Sequence, residues 1–250
     1  MRKLYLLSAV LTAIVAFGQK QKVGDFIEST SYNLEKIGVE RSQQYFPKGG
    51  AFVCENGTNR FTRALYGSPT DWRLETSDRP VFAVVKKNYH RNISFTLEMD
   101  GLSVALDSAA HCDACYEAGQ RTYRLSDPRW GGAELFIEVV ACPDREAAIW
   151  RFYGPQFMGR ATIHGRVADI AIPKLHRNGD IGADKPGCFE AKGPVLQEVT
   201  LPLDAGTGFI EVDLNQLRVP ERQTAGAEYL AAANHFRQLA SRISFETPDP

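Results

Sequence analysis

The sequence contains no run of basic residues. Its 29 lysines and arginines are spread among 30 acids, for a net charge of −1, so neither nucleic acid nor an anionic membrane is an expected partner. There is no GxSxG elbow, no HExxH, no phosphate-cradling P-loop and no Rossmann glycine fingerprint. The five histidines (His90, His111, His164, His176, His235) are scattered, and none has a neighbour at a ligand or triad spacing. No metal and no cofactor is expected. Five cysteines (Cys54, Cys112, Cys115, Cys142, Cys188) cannot all pair within one chain. "HCDAC" at 111–115 is the one metal-like or redox-like spacing, yet zinc needs a second ligand pair and a thioredoxin site needs a strand leading into a helix. The cysteines therefore read as structural.

Long apolar runs are also lacking, except at the start. Arg2 and Lys3 precede an apolar stretch from Leu4 to Phe17, and "AFG" follows with small residues. This pattern predicts a signal peptide over residues 1–18, cleaved near Gly18. The stretch falls short of the roughly 20 residues of a membrane span, and no cysteine after Gly18 offers a lipid anchor. The expected location is outside the cytoplasm, periplasmic or extracellular. At 44% apolar and 24% charged residues, the remainder has the composition of a soluble globular protein. It is long enough for one large β domain.

What the chain does have is alternation with period two. In "NISFTLEMDGLSVALD" (92–107), Asp100-Gly101 suits a two-residue type I′ turn. That register sets Met99 opposite Leu102, Leu97 opposite Val104 and Phe95 opposite Leu106, all on one face. "FVCENGTNRF" (52–61) suggests a second hairpin about Asn56-Gly57, with Phe52 against Phe61. "ELFIEVVACPDREAAIWRFYG" gives Leu135, Ile137, Val139 and Ala141 on one strand, then Ala148, Trp150 and Phe152 on the return. "PVFAVVKK", "ATIHGRVADIA", "QEVTLPL" and "GFIEVDL" supply four more strands. Many short strands without intervening helices predict a mainly β fold, an antiparallel β-sandwich of the supersandwich kind over 19–219.

The end differs. Tyr229, Ala232, Ala233, Phe236, Leu239, Ala240 and Ile243 fall at helical spacing and predict one C-terminal amphipathic α-helix over 220–243. Its apolar stripe needs a cover. Tyr229, Phe236 and Ile243 are the candidates for an interface with a following domain, of which 244–250 would be the start.

"RFTRALYGSPTDWRLETSDRPVF" (Arg60 to Phe82) gathers four arginines, a Trp, a Tyr and three acids. Phe61, Leu65, Leu74 and Phe82 read as core positions and "YGSPTD" as a turn between strands. Glu75 and Asp78 are the most suggestive carboxylate pair for glycoside hydrolysis. Aromatics in polar surroundings suit carbohydrate contact, since a sugar stacks on a ring while nearby polar groups bond its hydroxyls. Trp72 with Arg73, Tyr89 and Trp130 fit that description, as they also fit plain packing at strand ends.

"FVCENGTNRFTRALYG" followed by "WRLETSDRPVFAVV" resembles the start of a family of large secreted bacterial proteins from polysaccharide-utilisation systems. The likeness extends through "AGQRTYRLSDPRWGGAELFIEV", "PDREAAIWRF" and "HRNGDIGADKPGCFEA" to "ISFETPDP". The resemblance implies an N-terminal β-sandwich domain of unknown function that precedes an (α/α)6 toroid of the six-hairpin glycosidase type. The matching motif residues are Asn59, Arg60, Arg63, Tyr66, Gly67, Trp72, Arg73, Glu75, Asp78, Arg79 and Pro80. The family's presumed catalytic acids belong to the toroid, so none is carried over. The chain is thus expected to be a fragment or truncated product whose partner is a C-terminal glycosidase-like domain missing here, and whose ligand is a poly- or oligosaccharide. The alternatives are a stand-alone carbohydrate-binding protein and, last, a small hydrolase using a carboxylate pair.

Overall fold

A computed structural model describes residues 45–58, 61–87, 89–117, 119–170 and 187–242. The expected signal peptide, Asn59, Arg60, Ile243 and the tail at 244–250 lie outside the described residues. The first half of the chain contributes β1 (Phe46–Lys48), β2 (Ala51–Glu55), β3 (Phe61–Tyr66), β4 (Arg73–Ser77), β5 (Val81–Lys86), β6 (Tyr89–Met99), β7 (Leu102–Ala105) and β8 (His111–Glu117). Then follow β9 (Gln120–Ser126), β10 (Glu134–Ala141), β11 (Ala147–Tyr153), β12 (Ala161–Ile170), β13 (Ala191–Pro202), β14 (Thr207–Asp213), β15 (Gln216–Arg218) and the helix α1 (Arg222–Ala240). They form two antiparallel sheets. One has eight strands in the order β1-β2-β8-β9-β10-β11-β14-β15, and the other runs β13-β12-β6-β5-β4-β3 with β7 beside β6.

The core lies between the inward faces and follows the alternation. Ile137 opposes Phe152, Val139 opposes Trp150 and Ala141 opposes Ala148, all buried. Phe82, Phe95, Tyr123, Trp150 and Phe152 meet edge-on at 5.1–5.9 Å between ring centroids, the arrangement favoured by the ring quadrupole. The Asp100-Gly101 turn carries φ of 52° and 78°, and Met99–Leu102 and Leu97–Val104 pair as expected. Leu106 departs from that register. It begins a 3-10 turn, Leu106–Ser108, while Phe95 pairs with Gly165 of β12 instead.

Asn56-Gly57 does not close a hairpin. β2 pairs with β1 and β8, whereas β3 pairs with β4 in the other sheet, so the dipeptide carries the chain from one sheet to the other. Asn56 is held in this corner because its N–H donates to the Cys112 carbonyl at 2.8 Å and its side-chain oxygen accepts from the Cys112 N–H at 3.0 Å. The left-handed φ of 49° at Asn56 is one that Asn tolerates.

Helix α1 lies on the outer face of the eight-stranded sheet. Ala225, Ala232 and Ala233 let it approach, and with Tyr229 they bury Val140, Cys142, Ala147, Ile149 and Phe209. Glu221 caps its first turn, accepting from the N–H groups of Gln223 and Thr224. The first part of its stripe is therefore covered within the domain, while Leu239 and Ala240 near its end are exposed. Tyr229, expected at an interface with another domain, is only 3% exposed, and Phe236 packs on the backbone of Gly119 in the β8–β9 turn.

Candidate functional site

Several polar groups of the described part of the Arg60–Phe82 segment, 61–82, are buried. Asp78, in the turn between β4 and β5, is fully buried and accepts from the hydroxyls of Tyr45 and Thr62. Arg121 of β9 enters from the opposite sheet. Its guanidinium lies 3.7 Å from Asp78 and donates to Tyr45 Oη at 2.7 Å and to the Ser77 carbonyl at 3.1 Å. Tyr123 donates to the same carbonyl at 2.7 Å, and burial pushes its phenol up, so it stays a donor. The Tyr45 ring sits between two guanidinium groups, with Arg63 at 5.0 Å and Arg121 at 5.5 Å from its centroid. Arg79 spans the end of the sandwich and donates to the carbonyls of Gly57, Asp107 and Ala109 at 2.7–3.0 Å. Together these contacts clamp one sheet to the other.

A register shift between Phe61 and Arg63 breaks the alternation of β3, as an extra residue in a strand does. Phe61 can then join the outer cluster, 5.1 Å from Phe189, while Thr62 reaches Asp78. Gly67 lies so close to β10 that an added Cβ would be 2.2 Å from the Cys142 carbonyl oxygen. Pro80 is buried, whereas Tyr66 projects into solvent, 61% exposed.

Glu75 and Asp78 do not form a catalytic pair. Glu75 opposes Ala83, which belongs to the cluster on the outer face of the seven-stranded sheet, whereas Asp78 lies between the sheets. Glu75 is paired with Arg73 at 2.5 Å, and burial raises its carboxyl above the usual range despite that partner.

The sugar-contact candidates are also taken up by packing. The Trp72 ring is completely buried, its N–H donating to the Leu214 carbonyl at 3.0 Å. Trp130, 3% exposed, stands edge-on to Phe157 at 5.7 Å. Asp127 caps the short turn Pro128–Trp130 that inserts it. Neither indole offers a face to a sugar. Arg73 is buried on Glu75, and Tyr89 is half-buried with the Arg91 guanidinium 4.5 Å from its ring centroid. Of "HCDAC", Cys112 points inward and Cys115, three residues on, points outward, as strand geometry requires. The two thiols cannot share a metal, and no cluster of metal-ligating side chains occurs among the described residues. Burial pushes the thiols of Cys112 and Cys142 up to about 12, which keeps them protonated and inert.

The open surface lies on the outer face of the eight-stranded sheet, beyond the helix. Pairing registers place Glu55, Asp113, Arg124, Phe136 and Tyr153 in one row across five strands. Val53, Cys115, Thr122, Glu138 and Arg151 form the next row. A shallow groove of about 480 Å³ runs between these rows from Lys48 of β1 to Phe136 and Glu138 of β10, with Tyr153 and Arg151 of β11 beside its end; the volume is within the range of small-molecule clefts, about 300–1,000 Å³. Arg124 contacts Glu134 at 2.5 Å and Asp113 at 3.6 Å. Arg151 contacts Glu138 at 3.2 Å. The Phe136 and Tyr153 rings lie side by side, 6.1 Å apart and tilted by 43°. Glu138 also accepts from the Tyr229 hydroxyl at 2.8 Å, which ties the groove floor to helix α1. Sequence reasoning missed this site because its residues come from five strands and each reads alone as solvated decoration. Only the registers bring them together.

By architecture the protein is an antiparallel β-sandwich. Within it, residues 89–210 match the family model of a domain of unknown function, DUF4450. The matched region runs from the start of β6 into β14 and includes strands β8–β11 of the groove. Neither a curated protein nor a solved structure matches the chain.

Proposed function

We propose that the chain is a non-catalytic β-sandwich module of an exported carbohydrate-active protein, which positions or covers a C-terminal (α/α)6 glycosidase domain. The observation that supports it is the fate of Arg60–Phe82. Asp78 and Arg79 are engaged in clamping the two sheets, Arg73 and Glu75 are buried on one another on an outer face, and the one carboxylate pair with catalytic appeal is split across a sheet. Such a segment stiffens a scaffold, and it does not gather a nucleophile and an acid at one point. The glycosidase neighbour rests on the family resemblance alone, which is an argument by analogy. Two measurements test the reading. The purified chain should release no reducing sugar from a panel of polysaccharides, and the coding frame should continue past codon 250 into paired amphipathic helices. Turnover that disappears in Glu75→Gln would overturn the non-catalytic role.

The alternative reading is a stand-alone carbohydrate-binding protein, with no attached hydrolase. The groove favours it, because Phe136 and Tyr153 present apolar ring surface beside ordered polar groups.

A further inference from the structure

We infer that the groove on the outer face of the eight-stranded sheet binds an uncharged oligosaccharide, stacked on Phe136 and Tyr153 and hydrogen-bonded by Thr122, Arg124, Asp113 and Glu138. The inference rests on the carbohydrate reading but does not need a glycosidase neighbour.

Charge argues for a neutral ligand. Arg124 is already held between two carboxylates, at 2.5 and 3.6 Å, and Arg151 is held by Glu138 at 3.2 Å. At these two arginines a phosphate, sulfate or uronate would have to displace a carboxylate from its guanidinium, and a cation would have to displace a guanidinium from Asp113 or Glu138; Lys48 and Glu55, at the other end of the groove, lie outside these pairs. The pairs nevertheless keep spare capacity. A guanidinium has five N–H donors and an ionised carboxylate about four lone-pair sites, so each pair can bond hydroxyls without losing its partner. Adjacent donors and acceptors complement a ligand whose every hydroxyl is both.

The aromatic pair argues for a ring-shaped ligand. Tyr153 is 39% exposed, and its neighbour Phe136 lines the groove floor. Side by side on adjacent strands, the two rings make a platform on which the C–H face of a pyranose can lie. Lys48, which lines the groove from the β1 side, stands on the far side of β2, β8 and β9 from this platform. Arg151, 5.5 Å from the Tyr153 centroid, and Tyr229, bonded to Glu138, hold the platform and the floor in place. The site therefore needs little ordering when the ligand arrives.

Native gel electrophoresis of the full chain tests this, with neutral polysaccharides (xyloglucan, galactomannan, hydroxyethyl cellulose, soluble starch) or anionic ones (pectate, alginate) cast in the gel. At least one neutral polysaccharide should retard the protein. Tyr153→Ala and Phe136→Ala should each weaken that retardation roughly tenfold, the loss of one good stacking contact. Tyr66→Ala, which removes an exposed ring from the other sheet, should leave it unchanged. Three results would each overturn the inference: no retardation by any neutral member, retardation by the anionic polymers alone, or retardation undiminished by Tyr153→Ala. None of these bears on turnover or on the reading frame, so the site and the accessory role stand or fall separately.

Discussion

The clamp around Asp78 and Arg121 and the groove around Arg124 are made of the same materials: arginine, carboxylate and tyrosine. Arg121 and Arg124 even lie on the same strand, three residues apart. That odd spacing sends one side chain between the sheets and the other to solvent. In the clamp, both charged side chains are fully buried, and hydroxyls and carbonyls bond them. In the groove, Arg124 is half exposed, and its pairs are screened by solvent. Identical chemistry thus becomes a fixture in one place and an adaptable surface in the other. Strand parity decides which.

The largest expected effect breaks the clamp. Arg121→Met removes the guanidinium that faces the buried Asp78 carboxylate and should cost about 3–5 kcal/mol in urea unfolding. A cost below about 1 kcal/mol, the worth of an exposed pair, would erase the distinction between the two regions. Gly67→Ala, which drives a methyl group into the Cys142 carbonyl, should cost about 3 kcal/mol by overpacking and lower Tm with the groove intact. A smaller effect is expected at Asp127. Its carboxyl is held down to about 2, first by the side-chain hydrogen bonds of Arg129 and then by the backbone N–H groups of Arg129 and Ala110. A depressed folded-state pKa stabilises above the ordinary value of 3.8 and loses its contribution as pH falls toward 2. Asp127→Asn should therefore be less stable than the parent by about 1–2 kcal/mol above pH 4, and the gap should close between about pH 4 and 2. A gap that persisted at pH 2 would mean that charge is not its origin. At the bottom of the scale, Tyr153→Ala should shift stability by no more than about 0.5 kcal/mol, although it is expected to disable binding.

Much of the fold was legible because its signals are local. The β10–β11 pairing follows from alternation alone, and Asp100-Gly101 needs only its two left-handed residues. Asn56-Gly57 carries the same turn signal, yet it serves a change of sheet whose cause is Cys112, 56 residues away along the chain. Trp72 beside Arg73 fits a sugar contact and plain packing alike, because the carbonyl that takes its indole N–H belongs to Leu214, 142 residues along the chain. Tyr229 was assigned to another domain because the apolar stripe of a helix names no partner. The outer face of β10, β11 and β14 reads as an ordinary strand surface until Val140, Ile149 and Phe209 are aligned across it. The groove required four registers at once.

Glu138 belongs to two neighbourhoods. One of its oxygens accepts from Tyr229 and from Arg151, and its side chain borders the groove. Whatever effect occupancy of the groove has, through this carboxylate, on the seating of the helix is matched by an equal effect of that seating on the groove, because linkage between two sites is reciprocal.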